Sequence, residues 1–100
     1  MDPDNTEFMI SDVVASAAGR DQGKLFYVIG TDPVYLMLAN GKDRTLDKPK
    51  RKKRKHVKKV LRAETRVALK IQNGDKVLNS ELRRDLAFQS RALQSNNLGG

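Results

Sequence analysis

The chain has 100 residues, of which 20 are Lys or Arg and 12 are Asp or Glu, so its formal net charge is +8. This length is typical of one domain, and a 38% share of hydrophobic residues is enough for a small core. The absence of cysteine excludes disulfides, thiolate zinc sites and thiol nucleophiles. No apolar run approaches the roughly 20 residues of a membrane span. The acidic N-terminus is unlike a secretory signal, so we expect a cytoplasmic protein.

The positive charge is concentrated in one stretch, Lys48–Arg62, which has ten basic and no acidic side chains. Residues 1–47 have four basic and eight acidic side chains, and residues 63–100 have six and four. Such a stretch repels itself, and nucleic acid is the commonest polyanion that would neutralise it. The stretch also fits a solvated segment, a nuclear localisation signal or attachment to an anionic membrane surface.

Residues 1–8 lack periodicity, and we expect a disordered acidic tail there. Short apolar runs bounded by turn residues then predict four strands. The Asn40-Gly41 pair predicts a type I′ hairpin between the last two of them. The four predicted strands are 11–18, 25–29, 34–39 and 43–46.

A fifth strand, 57–61, would close the sheet into a barrel. It would be reached through an extended basic segment, which we define as residues 48–59. Pro49 makes a helix before that strand unfavourable. We therefore expect a domain at 9–62 that is mainly β, followed by a C-terminal helix.

The C-terminal extension, 63–94, is ambiguous in its first half, where residues 63–79 fit either a helix or strands. Asn79 or Ser80 would cap a helix over about 80–93. Its leucines at helical spacing would pack on the barrel or on a partner. Residues 95–100 are predicted to be a disordered end.

The first half of the chain has a recognisable pattern in residues 12–29, Asp-Val-Val-Ala-Ser-Ala-Ala-Gly-Arg-Asp-Gln-Gly-Lys-Leu-Phe-Tyr-Val-Ile. It resembles a KOW motif, which is a strand, a basic polar turn with a fixed glycine and a second strand. Gly23 stands at the position of that glycine. The basic stretch 46–56 also resembles the one after the fourth strand in short bacterial KOW-domain RNA-binding proteins. Those proteins are similar to the fourteenth large-subunit ribosomal protein of archaea and eukaryotes.

The resemblance covers about residues 10–60 and implies a small, five-stranded SH3-like barrel. It also implies binding to structured RNA, above all ribosomal RNA of the large subunit, with ribosomal proteins as possible neighbours. KOW domains occur in transcription elongation factors too. The alternative is therefore a transcription or translation factor module that docks on a protein, with the basic segment assisting on nucleic acid.

Two groups of residues are the predicted RNA contacts, because Arg and Lys bind phosphate oxygens and RNA is read largely by shape and backbone. The turn group is Arg20, Gln22, Gly23 and Lys24. The second group is Lys48, Lys50, Arg51, Lys52, Lys53, Arg54, Lys55, His56, Lys58 and Lys59. A plain hairpin turn without a ligand is the alternative for the glycines of the turn.

The sequence contains no set of residues that would indicate catalysis or cofactor binding. His56 is the only histidine, and nothing singles out a pair of acids among the aspartates. We therefore expect a non-enzymatic, ribosome-associated protein that has no cofactor, no metal, no membrane attachment and no small-molecule substrate. Phe26, Tyr27 and Tyr35 are expected in the core or at the barrel rim.

Overall fold

The computed structural model describes the backbone of residues 7–99 and the side chains of residues 7–94. Five strands form one antiparallel sheet, and two α-helices follow it in the chain. The strands are β1 (Asp12–Ser16), β2 (Leu25–Thr31), β3 (Tyr35–Ala39), β4 (Lys50–Lys53) and β5 (Val57–Arg62). A one-turn 3-10 helix, Arg54–His56, joins β4 to β5. The helices are α1 (Arg66–Asn73) and α2 (Asn79–Gly99).

The strand order in the sheet is β4-β3-β2-β1-β5. The first four strands form a meander, and β5 returns to pair with β1 at the other side. Within the described residues β4 and β5 do not pair, so the expected barrel closure is not found. Both edge strands are rich in Lys and Arg, which discourages pairing with the edges of other molecules.

Four of the predicted strands are confirmed with shifted ends, but the predicted strand 43–46 is wrong. Residues 40–48 instead form a compact loop around the side chain of Asn40. Its Oδ1 accepts hydrogen bonds from the amides of Lys42 and Arg44, both at 3.0 Å. Gly41 has a positive φ of 76° but Asn40 does not, so the turn is not type I′. The fourth strand forms later, inside the basic segment.

Two clusters of buried residues lie on opposite faces of the sheet, because successive side chains of a strand alternate between faces. The first cluster is Phe8, Val14, Phe26, Val28, Leu36, Leu38 and Val57. The second joins the sheet to the helices and is Val13, Tyr27, Ala39, Ala63, Ala68, Leu82 and Leu86. Phe8 was expected in a disordered tail and is instead 8% exposed. Residues 1–6 of that tail lie outside the described residues.

The ambiguous segment 63–79 contains α1. Thr65 caps this helix by accepting a hydrogen bond from the Ala68 amide, and Gly74 ends it with a left-handed φ of 73°. At the start of α2, Glu81 accepts a hydrogen bond from the amide of Leu78 at 3.1 Å, as in a capping box.

The predicted helix over 80–93 is confirmed, but α2 is longer. Its backbone continues to Gly99 where a disordered end was expected, and the side chains of residues 95–100 lie outside the described part.

The side chain of Tyr27, on β2, joins the C-terminal extension to the sheet through hydrogen bonds. Its hydroxyl donates to Asp85 on α2, lies 3.1 Å from Thr65 Oγ1 and accepts from Gln89 Nε2 at 3.2 Å. Burial and the hydrogen bond to Asp85 raise the pKa of Tyr27 well above its usual range. The phenol is therefore neutral at physiological pH. Tyr27 belongs to the second cluster, in which residues of the sheet and of both helices are buried together.

Candidate nucleic-acid interface

The turn between β1 and β2 is held by four backbone hydrogen bonds. The Gly23 amide donates to Ser16 O at 2.8 Å, and the Ser16 amide donates to Lys24 O at 3.1 Å. Gly19 and Gly23 have φ values of 87° and 88°, a region that residues with a Cβ adopt at a cost. A defined turn therefore presents the exposed side chains of residues 20 and 22, and these were among the predicted RNA contacts.

Asp21 lies at the centre of a polar cluster under this turn, with its side chain 11% exposed. It accepts hydrogen bonds from Ser16 Oγ at 2.7 Å, Lys50 Nζ at 2.6 Å and Lys52 Nζ at 2.9 Å. Burial alone would raise the pKa of Asp21, but these bonds and the charge of Lys50 outweigh it and hold the pKa well below its usual range. The cluster links the β1–β2 turn to the edge strand β4.

Lys52 belongs to this cluster and not to the protein surface. Its side chain is 9% exposed, and its ammonium also donates to Ala18 O at 2.7 Å. Lys50 is partly exposed and points to the same face of β4. Lys52 therefore serves the fold, and we remove it from the proposed RNA contacts.

The other residues of β4 point away from this cluster, because alternate side chains of a strand lie on opposite faces. Arg51 and Lys53 are exposed, and the Arg51 guanidinium stacks 3.9 Å from the centroid of the Tyr35 ring. The 3-10 helix exposes Lys55 and His56, and β5 exposes Lys58. We call Arg51, Lys53, Lys55 and Lys58 the outer cations. None of these four is within salt-bridge distance of a carboxylate of the described residues.

Arg54 and Lys59 are partly occupied by contacts inside the protein. They lie 5.8 Å and 5.7 Å from the centroid of the Phe8 ring. Arg54 Nε donates to Asp32 O at 2.9 Å, and Lys59 Nζ lies 3.4 Å from a carboxylate oxygen of the buried Asp12. Both residues secure the segment that contains Phe8 against the sheet.

The remaining predicted contacts, Lys24 and Lys48, interact with residues of the loop 40–48. Lys48 is exposed and forms an isolated bridge with Thr45. Lys24 Nζ forms a salt bridge with Asp43 at 2.8 Å, and both side chains are nearly half exposed. An ion pair this exposed contributes little to stability, so Lys24 can exchange its partner at small cost.

Arg44 is a cation that the sequence prediction missed. It was placed in a return strand, whereas the loop brings it beside the β1–β2 turn, where it lines the same hollow as Arg20 and Lys24. No local signal in the sequence shows this, because the position follows from the folding of the loop around Asn40.

Across residues 7–99, no helix is long and apolar enough to cross a membrane. The same part of the chain has no group of three or more His, Cys, Asp or Glu side chains placed to hold a metal ion.

No family model matches the sequence, and no curated protein matches it. We therefore infer the function from the geometry of the cations and from the pattern of residues 12–29.

Proposed function

We propose that this chain is a non-enzymatic RNA-binding protein that binds structured ribosomal RNA as a cytoplasmic ribosomal or ribosome-associated protein. The observation that carries the proposal is the arrangement of the outer cations. They lie on consecutive elements, β4, the 3-10 helix and β5, and no carboxylate of the described residues is within salt-bridge distance of them. Cations that are free of salt bridges and stand on ordered backbone suit a polyanion of defined shape.

The proposed mechanism is phosphate neutralisation from a rigid support. Arg51 can place two parallel donors on one phosphate while its guanidinium stays stacked on Tyr35. The lysines act as point charges, and each phosphate contact releases condensed counterions. Side chains of this kind read RNA by its shape and backbone, which fits a structured RNA better than a particular sequence.

We also propose that the five strands belong to an SH3-like barrel of the KOW type. Three features support this: the glycine at position 23 with its positive φ, the return of β5 to β1, and the single 3-10 turn that joins the two edge strands. Register shifts between Val13 and Val14 and between Val28 and Gly30 also support the proposal, because a β-bulge bends its strand, as barrel closure requires.

A second candidate, docking on a protein, is favoured by one side chain. Phe88 on α2 is 62% exposed. Arg84 and Arg91, also exposed, are four residues before it and three after it, on the same side of the helix. An exposed aromatic ring between two arginines is typical of protein interfaces. In this alternative a transcription or translation factor module would bind through α2, and the outer cations would assist on nucleic acid.

Sedimentation of tagged protein in cell lysate through a sucrose gradient separates these functions. The experiment uses low and high salt, each with and without nuclease. For the ribosomal function we expect movement with the large subunit at low salt, and release by high salt or nuclease. Association that survives nuclease would favour protein docking. A protein that stays at the top of the gradient at every salt would contradict the ribosomal function.

A further inference from the structure

A hollow of about 430 Å³ lies between the β1–β2 turn and the loop 40–48. Cations and carboxylates from three separate segments line it, and the ring of Phe26 contributes an apolar wall. The charged residues are Arg20, Asp21, Lys24, Asp43, Arg44 and Lys50.

The pairing of these charges leaves two arginines uncompensated. Lys24 pairs with Asp43 at 2.8 Å, and Lys50 pairs with Asp21 at 2.6 Å. Arg20 and Arg44 are not buried, and no carboxylate of the described residues lies within salt-bridge distance of either. The hollow therefore has a net positive charge, supplied by the two side chains that bind phosphate with two donors each.

The two backbone segments that carry Arg20 and Arg44 are fixed by hydrogen bonds. Arg20 is on the turn that the hydrogen bond from Gly23 to Ser16 closes at 2.8 Å. Arg44 is on the loop around Asn40, and α2 anchors this loop at two points. The Leu46 amide donates to Asn79 Oδ1 at 2.8 Å, and Arg83 donates to Gly41 O at 3.1 Å. Because the backbone at both arginines is already ordered, less conformational entropy is lost when a ligand binds.

We infer that this hollow is a phosphate-binding subsite in which Arg20 and Arg44 grip one phosphate group. It rests on the proposed function in one respect: the phosphate is taken to belong to the backbone of the same RNA that the outer cations bind. A free phosphate compound has the same chemistry and is the other source to be tested. Asp43 opposes either ligand, because its negative charge lines the same hollow.

The first test is an NMR titration of the full chain labelled with ¹⁵N, observing the Nε–H groups of its arginines. Inorganic phosphate and a short RNA hairpin are added in separate experiments. We expect both ligands to shift Arg20 and Arg44, with Arg66 on α1 as an internal reference that does not respond to phosphate. If neither ligand moves Arg20 or Arg44, the inference is overturned.

The second test compares variants in RNA affinity. The double variant Arg20→Gln/Arg44→Gln should bind the hairpin at least about tenfold more weakly, because it loses charge-assisted hydrogen bonds. Asp43→Asn should change affinity in the opposite direction, by about two- to fivefold at low salt, since it removes a repulsive charge. The double variant Arg66→Gln/Lys76→Gln, which changes two exposed cations outside the hollow, is the control for the loss of two charges.

These tests separate failure of the subsite from failure of the proposed function. If wild-type protein binds RNA and the folded double variant binds it equally well, the subsite is wrong and the function stands. If wild-type protein does not bind RNA while inorganic phosphate still shifts both arginines, the function is wrong and the subsite serves a free phosphate compound. Should the double variant fail to fold, an Asp43→Asn variant with unchanged affinity would still overturn the inference.

Discussion

The ammonium nitrogen of Lys52 lies 2.9 Å from Oδ1 of Asp21, and both side chains are nearly buried. Lys53, the next residue of β4, is exposed on the opposite face of the strand. The basic segment therefore combines two kinds of cation. One kind neutralises a nearly buried carboxylate of the protein, and the other faces solvent and forms no salt bridge with the described side chains.

This division predicts that two neighbouring substitutions affect different properties, one the stability of the fold and the other the binding of RNA. Lys52→Met keeps the aliphatic stem but leaves Asp21 and Ala18 O each with one hydrogen-bond donor fewer. We expect the free energy of unfolding to fall by about 1–3 kcal/mol, because a nearly buried carboxylate loses one of its charge-assisted hydrogen bonds. Lys53→Met should change stability by less than about 0.5 kcal/mol.

Urea denaturation of both variants measures the stability, and binding to a structured RNA at several salt concentrations measures the function. The folded Lys52→Met variant should retain the salt dependence of the wild type, whereas Lys53→Met should lose part of it. Equal effects of the two substitutions on either measurement would show that β4 does not divide its cations in this way.

The sequence predicted that residues 48–59 are basic and join two parts of one sheet, but not that they form a strand themselves. Lysine has low strand propensity, and Pro49 suggested only an extended connection. What makes β4 a strand is distant in the chain: Asp21 compensates Lys50 and Lys52, while Leu36 and Leu38 of β3 pair with those same residues. Such a long-range effect leaves no local pattern.

The pKa of Asp21 makes stability sensitive to acid. A carboxyl whose pKa is lower in the folded than in the unfolded chain stabilises the fold above the unfolded pKa of about 3.9 and loses that contribution as the pH falls. We therefore expect stability to fall between about pH 5 and pH 2, with Asp21 contributing on the order of 2 kcal/mol. Urea unfolding across this range measures it.

Asp21→Asn is the variant that isolates this contribution. It should be less stable than the wild type at pH 6, and the difference between the two should shrink as the pH falls. Exposed carboxyls such as Asp32 also titrate, so the comparison of variant with wild type is decisive and the slope of either alone is not. A constant difference at every pH would contradict the assignment.

Gly41 is predicted to be the least tolerant glycine of the described chain. A Cβ at this position would overlap the carbonyl oxygen of Asn79 and lie 3.1 Å from the Arg83 amide nitrogen. Gly74 has nearly the same φ, 73° against 76°, but no atom within 4 Å of such a Cβ. It is therefore a matched control for the cost of the left-handed backbone alone.

We expect Gly41→Ala to destabilise the protein by about 1–3 kcal/mol more than Gly74→Ala, because it overpacks the contact between the loop and α2. Thermal or urea unfolding of the two variants gives the difference. If they are equally stable, the loop is not pressed against the start of α2, and that helix does not anchor Arg44.

Tyr27→Phe tests whether the extension and the sheet form one cooperative unit. The substitution removes the hydroxyl that donates to Asp85 and accepts from Gln89, so we expect a loss of about 1–3 kcal/mol. Tyr35→Phe is the control, because the hydroxyl of Tyr35 has no hydrogen-bond partner among the described residues and its ring remains available to Arg51. A single unfolding transition is expected in both variants. Independent melting of the helices would contradict a shared core.

The candidate site was predictable in part. The pattern of residues 19–24 indicated the turn, and the structure has that turn with both glycines at positive φ. Arg44 was not predictable, because Asn40 closes its loop through its side chain and not through a hairpin. The burial of Lys52 was not predictable either, since one lysine in a run of cations looks like its neighbours until Asp21 is placed beside it.

The central claim is that the outer cations bind RNA, and its most direct test is the salt dependence of affinity for a structured ribosomal RNA fragment. The test variant replaces all four outer cations by Gln. The control variant replaces four exposed cations elsewhere, Arg66, Lys76, Arg84 and Arg91, and so has the same net charge. We predict that the slope of log affinity against log salt falls by about three to four in the test variant, because each lost phosphate contact removes just under one unit. The control should lose much less. Equal losses in both variants, or no measurable affinity in the wild type, would contradict RNA binding by the outer cations.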